Sequence, residues 1–168
     1  MVNGMDAQSI VTIIQEKLGS HLQASRLKVK NYHAGIIRLH LWISIDREAF
    51  HFTVNTLKSL GRLHLSTAMA YKEYEDRIEL IYPFALKMDD AHYSEFMIIA
   101  SVDIPHNDLT IRTITDIVPG ALFMEREVME MLGIVIEDIP DSRRLFTPSS
   151  LQDGYFPLRN GKNKEDSK

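Results

Sequence analysis

Hydrophobic and polar residues follow two different periods along this chain, and their order predicts helices and strands. A period near 3.6 residues predicts amphipathic helices over residues 6–18, 46–61 and 121–133, each with a glycine at or just after its end. Asp46 is placed to cap the second helix. Extended apolar or alternating segments predict five strands, over residues 26–32, 35–45, 63–75, 77–88 and 94–104. This order predicts an α+β domain with helices packed on a mainly antiparallel sheet.

The pattern changes after Gly133, and we divide the chain there. Large apolar side chains between residues 145 and 158 follow neither period, and prolines interrupt any regular pairing. Such side chains need a surface that buries them, either on their own domain or on another protein. The predicted organisation is therefore an α+β domain over 1–133, an extended C-terminal arm over 134–160 and a polar, disordered tail over 161–168.

The third predicted helix carries a carboxylate on its apolar side. At 100° per residue, Glu125 falls on the arc formed by Ala121, Leu122, Val128, Met129 and Leu132. The charged residues predicted to point to solvent are Arg126, Glu127 and Glu130.

A carboxylate on an apolar face is costly unless it is paired and hydrogen-bonded. We hypothesise that Arg143 or Arg144 returns across the turn at Pro140 and pairs with Glu125. The alternative is that Glu125 faces a cation on another subunit. The arginines and aromatic residues of the arm also favour a protein interface by composition. The alternative is that Arg143 and Arg144 only close salt bridges on their own domain.

Composition narrows the classes of function. Hydrophobic residues make up 45% of the 168 and charged residues 25%, as in globular proteins, and the net charge of −4 argues against a nucleic-acid partner. The absence of cysteine excludes disulfides, iron–sulfur ligation, cysteine-based zinc sites and thiol catalysis, so any redox chemistry belongs to another polypeptide. No apolar run approaches the roughly 20 residues of a membrane span, and the N-terminus lacks signal features. We expect a cytoplasmic protein that meets a membrane only through a partner.

No catalytic, metal or cofactor site is predicted. The seven histidines are scattered, without a pair three or four apart on a helix. The chain has no G-x-S-x-G elbow and no glycine-rich phosphate loop.

The C-terminal quarter resembles the signature of the 30-kilodalton subunit of respiratory complex I. That signature is a helix with Glu-Arg-Glu, a Gly-Ile pair, a Pro-Asp-x-Arg-Arg turn and a closing Gly-Tyr-Pro-Leu-Arg. The matching positions are Glu125, Arg126, Glu127, Gly133, Ile134, Pro140, Asp141, Arg143, Arg144, Gly154, Tyr155, Pro157, Leu158 and Arg159.

The chain also departs from that signature. Glu130 stands where the family has aspartate, Ile139 where it has histidine, Phe156 is inserted, and Asn160-Gly161 replaces Lys-Asp. In its compact length the chain is more similar to the homologous small subunit of membrane-bound energy-converting [NiFe] hydrogenases.

The resemblance implies a non-redox structural subunit with no active site of its own. Its partners would be a large catalytic subunit, hydrogenase-like or 49-kDa-like, and an Fe–S small subunit, on the cytoplasmic side of the membrane. The Ni–Fe centre and Fe–S clusters would belong to those partners, and the arm would wrap the large one. The predicted interface residues are Glu125, Arg126, Glu127, Arg143, Arg144, Tyr155 and Arg159.

Three interpretations of the whole protein are open at this point. The first is a subunit of a ferredoxin-dependent [NiFe] hydrogenase that couples H2 evolution to ion translocation. The second is the 30-kDa subunit of an NADH:quinone oxidoreductase, or its counterpart in a related sulfur-reducing membrane complex. The third is a free-standing module that binds a small metabolite, against which the apolar arm argues.

Overall fold

A six-stranded sheet with helices on one face forms the body of the protein. The computed structural model describes residues 7–31, 37–66, 69–87, 96–148, 150–152 and 154–159. The helices are α1 (Ala7–Leu18), α2 (Phe50–Leu60) and α3 (Leu122–Leu132). The strands are β1 (Leu22–Asn31), β2 (Ile37–Ile45), β3 (Arg62–Leu65), β4 (Ala70–Glu73), β5 (Arg77–Lys87), β6 (Phe96–Pro105), β7 (Thr110–Arg112) and β8 (Val135–Glu137). The predicted tail over 161–168 lies outside the described residues.

The sheet has the order β1-β2-β6-β5-β3, and β4 also pairs with β5. Every pairing in it is antiparallel except that of β2 with β6. These findings confirm the predicted α+β class and its mainly antiparallel sheet. The parallel pair arises because α2 and three strands separate β2 from β6 in the sequence.

The segment predicted as one strand over 63–75 forms two short strands. Both lie along the same edge of β5, with β3 opposite residues 84–87 and β4 opposite residues 78–81. The intervening Ser66 donates its backbone N–H to the carbonyl of Pro83. Apolar patterning could not show this break, because both strands continue the same pattern.

Alternation of side chains across the sheet places the core on one face. Alternate residues of β5, from Ile78 to Leu86, are buried there. The ring of Phe50, at the start of α2, packs on Tyr82 with 4.5 Å between centroids. The buried residues of α1, α2 and α3 belong to the same hydrophobic cluster as this sheet face.

The predicted glycine stops are confirmed, with Gly61 as the C-cap of α2, whereas the predicted helix cap at Asp46 is wrong. Gly19 and Gly133 follow α1 and α3 with φ of 51° and 71°, the left-handed conformation that glycine adopts readily. Asp46 makes no side-chain capping bond. Its carboxylate instead accepts a 2.6 Å hydrogen bond from Gln23 and lies 3.4 Å from His21. A short 3-10 turn after Asp46 delays the start of α2 to Phe50, so Asp46 lies four residues before the helix that it was expected to cap.

Two short parallel strands, β7 and β8, form a second sheet. In the sequence, β7 precedes α3 and β8 follows it. The predicted arm therefore begins as a strand rather than as irregular chain. Three-residue strands are too short to show a period, which is why the sequence did not reveal them.

Candidate partner interface

Glu125 lies on the inner side of α3, as the helical pattern predicts, and is 1% exposed. It accepts a 2.5 Å hydrogen bond from the hydroxyl of Thr113 and a 2.9 Å bond from the backbone N–H of Ile114. The predicted pairing of Glu125 with Arg143 or Arg144 is therefore wrong. The carboxylate instead receives its hydrogen bonds from neutral donors in the loop after β7.

Burial raises the pKa of Glu125 above its ordinary value. The hydrogen bonds from Thr113 and Ile114 oppose this rise, and the negative charge of Asp116 adds to it. Glu125 thus joins α3 to the loop after β7 inside the chain, through hydrogen bonds from neutral donors.

Arg126 lies beneath the arm, although the helical pattern predicts it on the solvent side. It is buried, and its guanidinium Nε donates to the carbonyl of Arg143 at 2.9 Å. One terminal nitrogen donates to the carbonyl of Arg144 at 3.2 Å, and the other lies 3.2 Å from the carboxylate of Asp141. A helical wheel treats charge as exposed, and it contains no information about a segment that returns over the helix.

Glu130 follows Arg126 by four residues and binds the next part of the arm. Its carboxylate accepts backbone N–H groups from Leu145 at 2.7 Å, from Phe146 at 3.0 Å and from Thr147, together with the Thr147 hydroxyl. Burial alone would raise the pKa of Glu130, but these hydrogen bonds outweigh it and lower the pKa to about 2. Consecutive N–H groups directed at one carboxylate fix the course of the main chain.

The two arginines of the arm make contacts within the arm itself. The guanidinium of Arg143 binds both carboxylate oxygens of Asp141, at 2.9 and 2.8 Å, and its side chain is 85% exposed. These bonds hold the pKa of the Asp141 carboxyl well below its usual range. Arg144 donates to the carbonyls of Pro148 and Leu151, which closes a turn of the arm.

The end of the arm is anchored at the C-terminus of α3. The buried Arg159 lies with Nε 3.1 Å from the carboxylate of Glu73 on β4, and its Nη1 donates to the carbonyl of Leu132. The backbone N–H of Leu158 donates to the carbonyl of Met131. The ring of the inserted Phe156 lies against Gly133, so close that a β-carbon there would be 2.5 Å from it.

The outer side of this assembly is a surface that we call the arm face, defined by Phe123, Arg143, Phe146, Tyr155 and Leu158. All five side chains are exposed, and Phe146 is 62% exposed. A cavity of about 230 Å³ lies beside it, between α3 and the arm, lined in part by Arg126, Arg143 and Tyr155. A neighbouring groove contains Met124, Met131 and Glu127, another predicted interface residue.

The seven predicted interface residues therefore separate into two groups. Glu125, Arg126 and Arg159 are buried and make contacts within the chain. The other four, which reach solvent at least in part, are Glu127, Arg143, Arg144 and Tyr155. Only this second group can meet a partner without rearrangement, and its interface role stays a prediction.

Sequence reasoning missed Glu130 and Asp141 as the residues that hold the arm in place. The signal for Glu130 was its i, i+4 spacing from Arg126, which puts both charges on one side of the helix. For Asp141, the signal was the Asp-x-Arg sequence, a spacing at which a carboxylate reaches both the backbone N–H and the guanidinium of Arg143.

The described part of the chain offers neither a metal cluster nor a helical membrane span. Within the described ranges, no three or more histidines, aspartates or glutamates cluster in a way that could hold a metal ion. None of the helices described above is both long and apolar enough to cross a bilayer.

Sequence comparisons relate the chain to subunits of membrane oxidoreductases. Residues 43–168 match the family described as the 30-kDa subunit of the respiratory-chain NADH dehydrogenase. Membrane-bound hydrogenase subunit beta of Pyrococcus furiosus is 28% identical over 148 residues, which are 88% of this chain and 83% of that protein. NADH-quinone oxidoreductase subunit 5 of Thermus thermophilus is 33% identical over 128 residues, which are 71% of this chain and 60% of that protein.

Solved structures show the same fold. A chain of the membrane-bound sulfane sulfur reductase, an archaeal respiratory membrane complex, superposes with a TM-score of 0.61 at 19% identity, covering 88% of this chain and 78% of that one. The trypsin-resistant fragment of Nqo5 superposes with a TM-score of 0.53 at 21% identity, covering 80% and 97%.

Proposed function

Because the chain belongs to the family of the 30-kDa subunit of the respiratory-chain NADH dehydrogenase, we propose that it is a non-catalytic assembly subunit of a complex I-related membrane oxidoreductase. It lies on the cytoplasmic side of the membrane and reaches the membrane through partner subunits. Its partners are a large catalytic subunit and an Fe–S small subunit. The Ni–Fe centre and the Fe–S clusters belong to those partners.

The observation that carries this proposal is that the main chain of the arm is bound to α3 while some of its side chains face solvent. Arg126 and Glu130 hold the arm through its main chain, while Arg143 and Phe146 direct their side chains to solvent. Exposed aromatic and arginine side chains on a fixed segment have the composition of the centre of a protein interface. A surface of this kind on a lone domain would be a liability in water.

Among complexes of this class, we propose a ferredoxin-dependent energy-converting [NiFe] hydrogenase, in which H2 evolution is coupled to ion translocation. Support comes from the hydrogenase subunit of Pyrococcus furiosus, whose match takes in most of both chains. The match to the Thermus thermophilus subunit takes in less of each. The 30-kDa subunit of an NADH:quinone oxidoreductase is the second candidate. A subunit of a sulfur-reducing complex is the third, since a chain of such a complex has the same fold.

Purification of the tagged chain from native membranes in mild detergent, followed by mass spectrometry, tests the assignment. Co-purification of a large subunit with nickel-binding cysteine pairs and of antiporter-like membrane proteins is the expected result. A large subunit without those cysteines moves the assignment to a quinone- or sulfur-reducing complex. A chain that purifies alone, folded and monomeric, contradicts the proposal.

The arm face is tested by substitution in the same purification. We expect Phe146→Ser to reduce recovery of the large subunit by at least about tenfold, since central aromatic anchors contribute about 2 kcal/mol or more. Val135→Ser is the matched control, because Val135 is a similarly exposed apolar residue on β8, outside the arm face. Equal recovery with both variants would remove the arm face from the interface.

A further inference from the structure

The six-stranded sheet has a second face, which none of the described helices covers. On the opposite face, Gln15 of α1 reaches Ser25 of β1, and Phe50 of α2 packs on Tyr82 of β5. The side chains that alternate with these point away from the helices. We call this side the open face.

A row of side chains runs across four strands of the open face. Arg26 lies opposite Trp42, Trp42 opposite Ile99, and Ile99 opposite Pro83. Ile99 itself is buried between its neighbours, so the exposed part of the row is its Arg26–Trp42 end. Lys28 lies in the next row, on the same strand as Arg26. Trp42 is 45% exposed at the centre of β2, and the side chains of Arg26 and Lys28 are exposed beside it on the edge strand. A tryptophan in the middle of a strand, next to two exposed cations, is an unusual group of residues to leave in water.

The charge of this region opposes that of the whole protein. Residues 22–45, from the start of β1 to the end of β2, contain four lysines and arginines and neither aspartate nor glutamate, in a chain of net charge −4. The acid that follows, Asp46, already accepts a hydrogen bond from Gln23 and lies beside His21. The positive charge is therefore not neutralised within these two strands. The acids on the same face, Glu79 and Asp103, lie on β5 and β6, where Asp103 pairs with Arg77.

We propose that the open face binds an acidic surface of another protein, with Trp42 as the central anchor and Arg26 and Lys28 as the cations that select it. Tryptophan and arginine are enriched among the residues that dominate binding energy, and opposite charge sets the choice of partner. A protein is favoured over nucleic acid or anionic lipid because Arg26 and Lys28 form a small cationic site beside an apolar anchor, whereas a long polyanion or a charged bilayer would also meet the negative charge of the rest of the chain. This inference rests on the sheet and its charge and does not depend on the proposed function.

Photocrosslinking of the full-length chain in its native cells tests the proposal. Trp42→benzoylphenylalanine places a photoreactive group at the centre of the open face, and irradiation followed by mass spectrometry of the crosslinked peptides identifies the neighbour. The expected product is a peptide of another protein with an excess of aspartate and glutamate. A crosslink to lipid, to nucleic acid or to a basic peptide would overturn the proposal, as would no crosslink.

Charge reversals show whether the cations select the partner. Arg26→Glu with Lys28→Glu is expected to lower the crosslink yield by about tenfold, because like charges then face each other. Lys17→Glu with Lys58→Glu changes the net charge equally at exposed sites on α1 and α2, and should leave the yield unchanged. If the crosslink yield falls equally in both variants, the loss comes from the change in net charge, and the assignment to this face is overturned. Circular dichroism melts of each variant verify that the chain is folded.

Discussion

Arg126 and Glu130 lie four residues apart on α3, and this spacing lets one helix hold two successive parts of the arm. Arg126 binds carbonyls of residues 143 and 144, whereas Glu130 binds N–H groups of residues 145–147. Hydrogen bonds to charged groups contribute more than neutral ones, roughly 1.5 to 3 kcal/mol. Each charge meets a run of the complementary main-chain group, so the direction of the arm is fixed as well as its position.

Removal of the Arg126 side chain should free the middle of the arm. In Arg126→Ala we expect trypsin to cleave after Arg143 and Arg144 about tenfold faster, because loss of roughly 1.5 to 3 kcal/mol raises the population of the open arm. Time-resolved digestion followed by mass spectrometry measures this rate. Arg112→Ala is the control, since Arg112 is exposed and lies 3.7 Å from Asp138. Unchanged cleavage would show that Arg126 does not hold the arm.

Glu125 should make stability fall with rising pH. Its pKa is raised by burial, so the folded state binds the proton more tightly than the unfolded state does. The resulting stability is fully present below the ordinary glutamate pKa and is lost as pH rises through the folded-state pKa. We expect Glu125→Gln, which keeps the shape of the protonated group, to become increasingly more stable than the parent over this window. Urea unfolding at a series of pH values measures the difference, and a constant difference would contradict the prediction.

Glu130 should show the opposite dependence. Its folded-state pKa of about 2 lies below the ordinary value, so its contribution is present above the unfolded-state pKa and is lost as pH falls through about 2. Glu130→Gln should therefore unfold at lower urea than the parent at neutral pH, with a gap that closes under acid. A gap of the same size at both ends of this range would show that ionisation of Glu130 does not stabilise the arm.

At the scale of elements, the C-terminus of α3 is the place where helix, strand and arm meet. Gly133 ends the helix in a left-handed conformation, and the ring of Phe156 occupies the space where a side chain would begin. Glycine is therefore required at position 133 for two reasons: the left-handed backbone conformation, and the lack of space for a β-carbon beside the Phe156 ring. Phe156, an insertion relative to the family signature, closes the contact between helix and arm.

The conformational and the steric contributions to the free energy of unfolding can be measured separately. Gly133→Ala should lower the free energy of unfolding by more than the roughly 1 to 2 kcal/mol of the left-handed conformation, because the β-carbon also meets the ring. In a Phe156→Ala background the steric part should disappear and only the conformational part remain. Urea denaturation of the four proteins measures the coupling.

Gly120→Ala is the matched control, since a β-carbon there meets nothing within 4 Å. If Gly133→Ala costs the same with and without the Phe156 ring, the contact between the ring and the glycine is not present in solution.

The sequence could predict the elements whose patterns are long and regular. The three helices, the long strands and the left-handed glycines follow from local periodicity and backbone sterics, as does the inward side of Glu125. The parallel pairing of β2 with β6, the short β7 and β8, and the burial of Arg126 depend on segments distant in the chain. Local patterns carry no information about which distant segment will cover a residue, so these features needed the structure.

At the scale of the whole molecule, Arg159 ties together parts that are far apart in the sequence. Its guanidinium joins Glu73 on β4 to the C-terminal carbonyl of α3, and His106 lies 3.7 Å from the same carboxylate. One terminal nitrogen of Arg159 is buried without a hydrogen-bond partner among the residues described. The pair is therefore costly to desolvate and strongly dependent on both members.

Breaking this pair from one side should destabilise the whole domain. Arg159→Met leaves the carboxylate of Glu73 buried without its guanidinium, and we expect a loss of about 3 to 5 kcal/mol. Adding Glu73→Gln should recover part of that loss, because the negative charge that has lost its guanidinium is removed. Thermal and urea unfolding of both single variants and of the double variant complete the cycle, and additive losses would show that the two charges do not interact.

The hold that α3 exerts on the arm has a consequence for how such subunits diverge. The contacts of Arg126 and Glu130 with residues 143–146 are to main-chain atoms, which every amino acid provides. The exposed side chain of Phe146 can therefore change without loss of these contacts, whereas Arg143 and Arg144 also make side-chain contacts within the arm. In this way, one scaffold can bind different partner proteins after substitutions at its surface, while the helix that carries the arm stays the same.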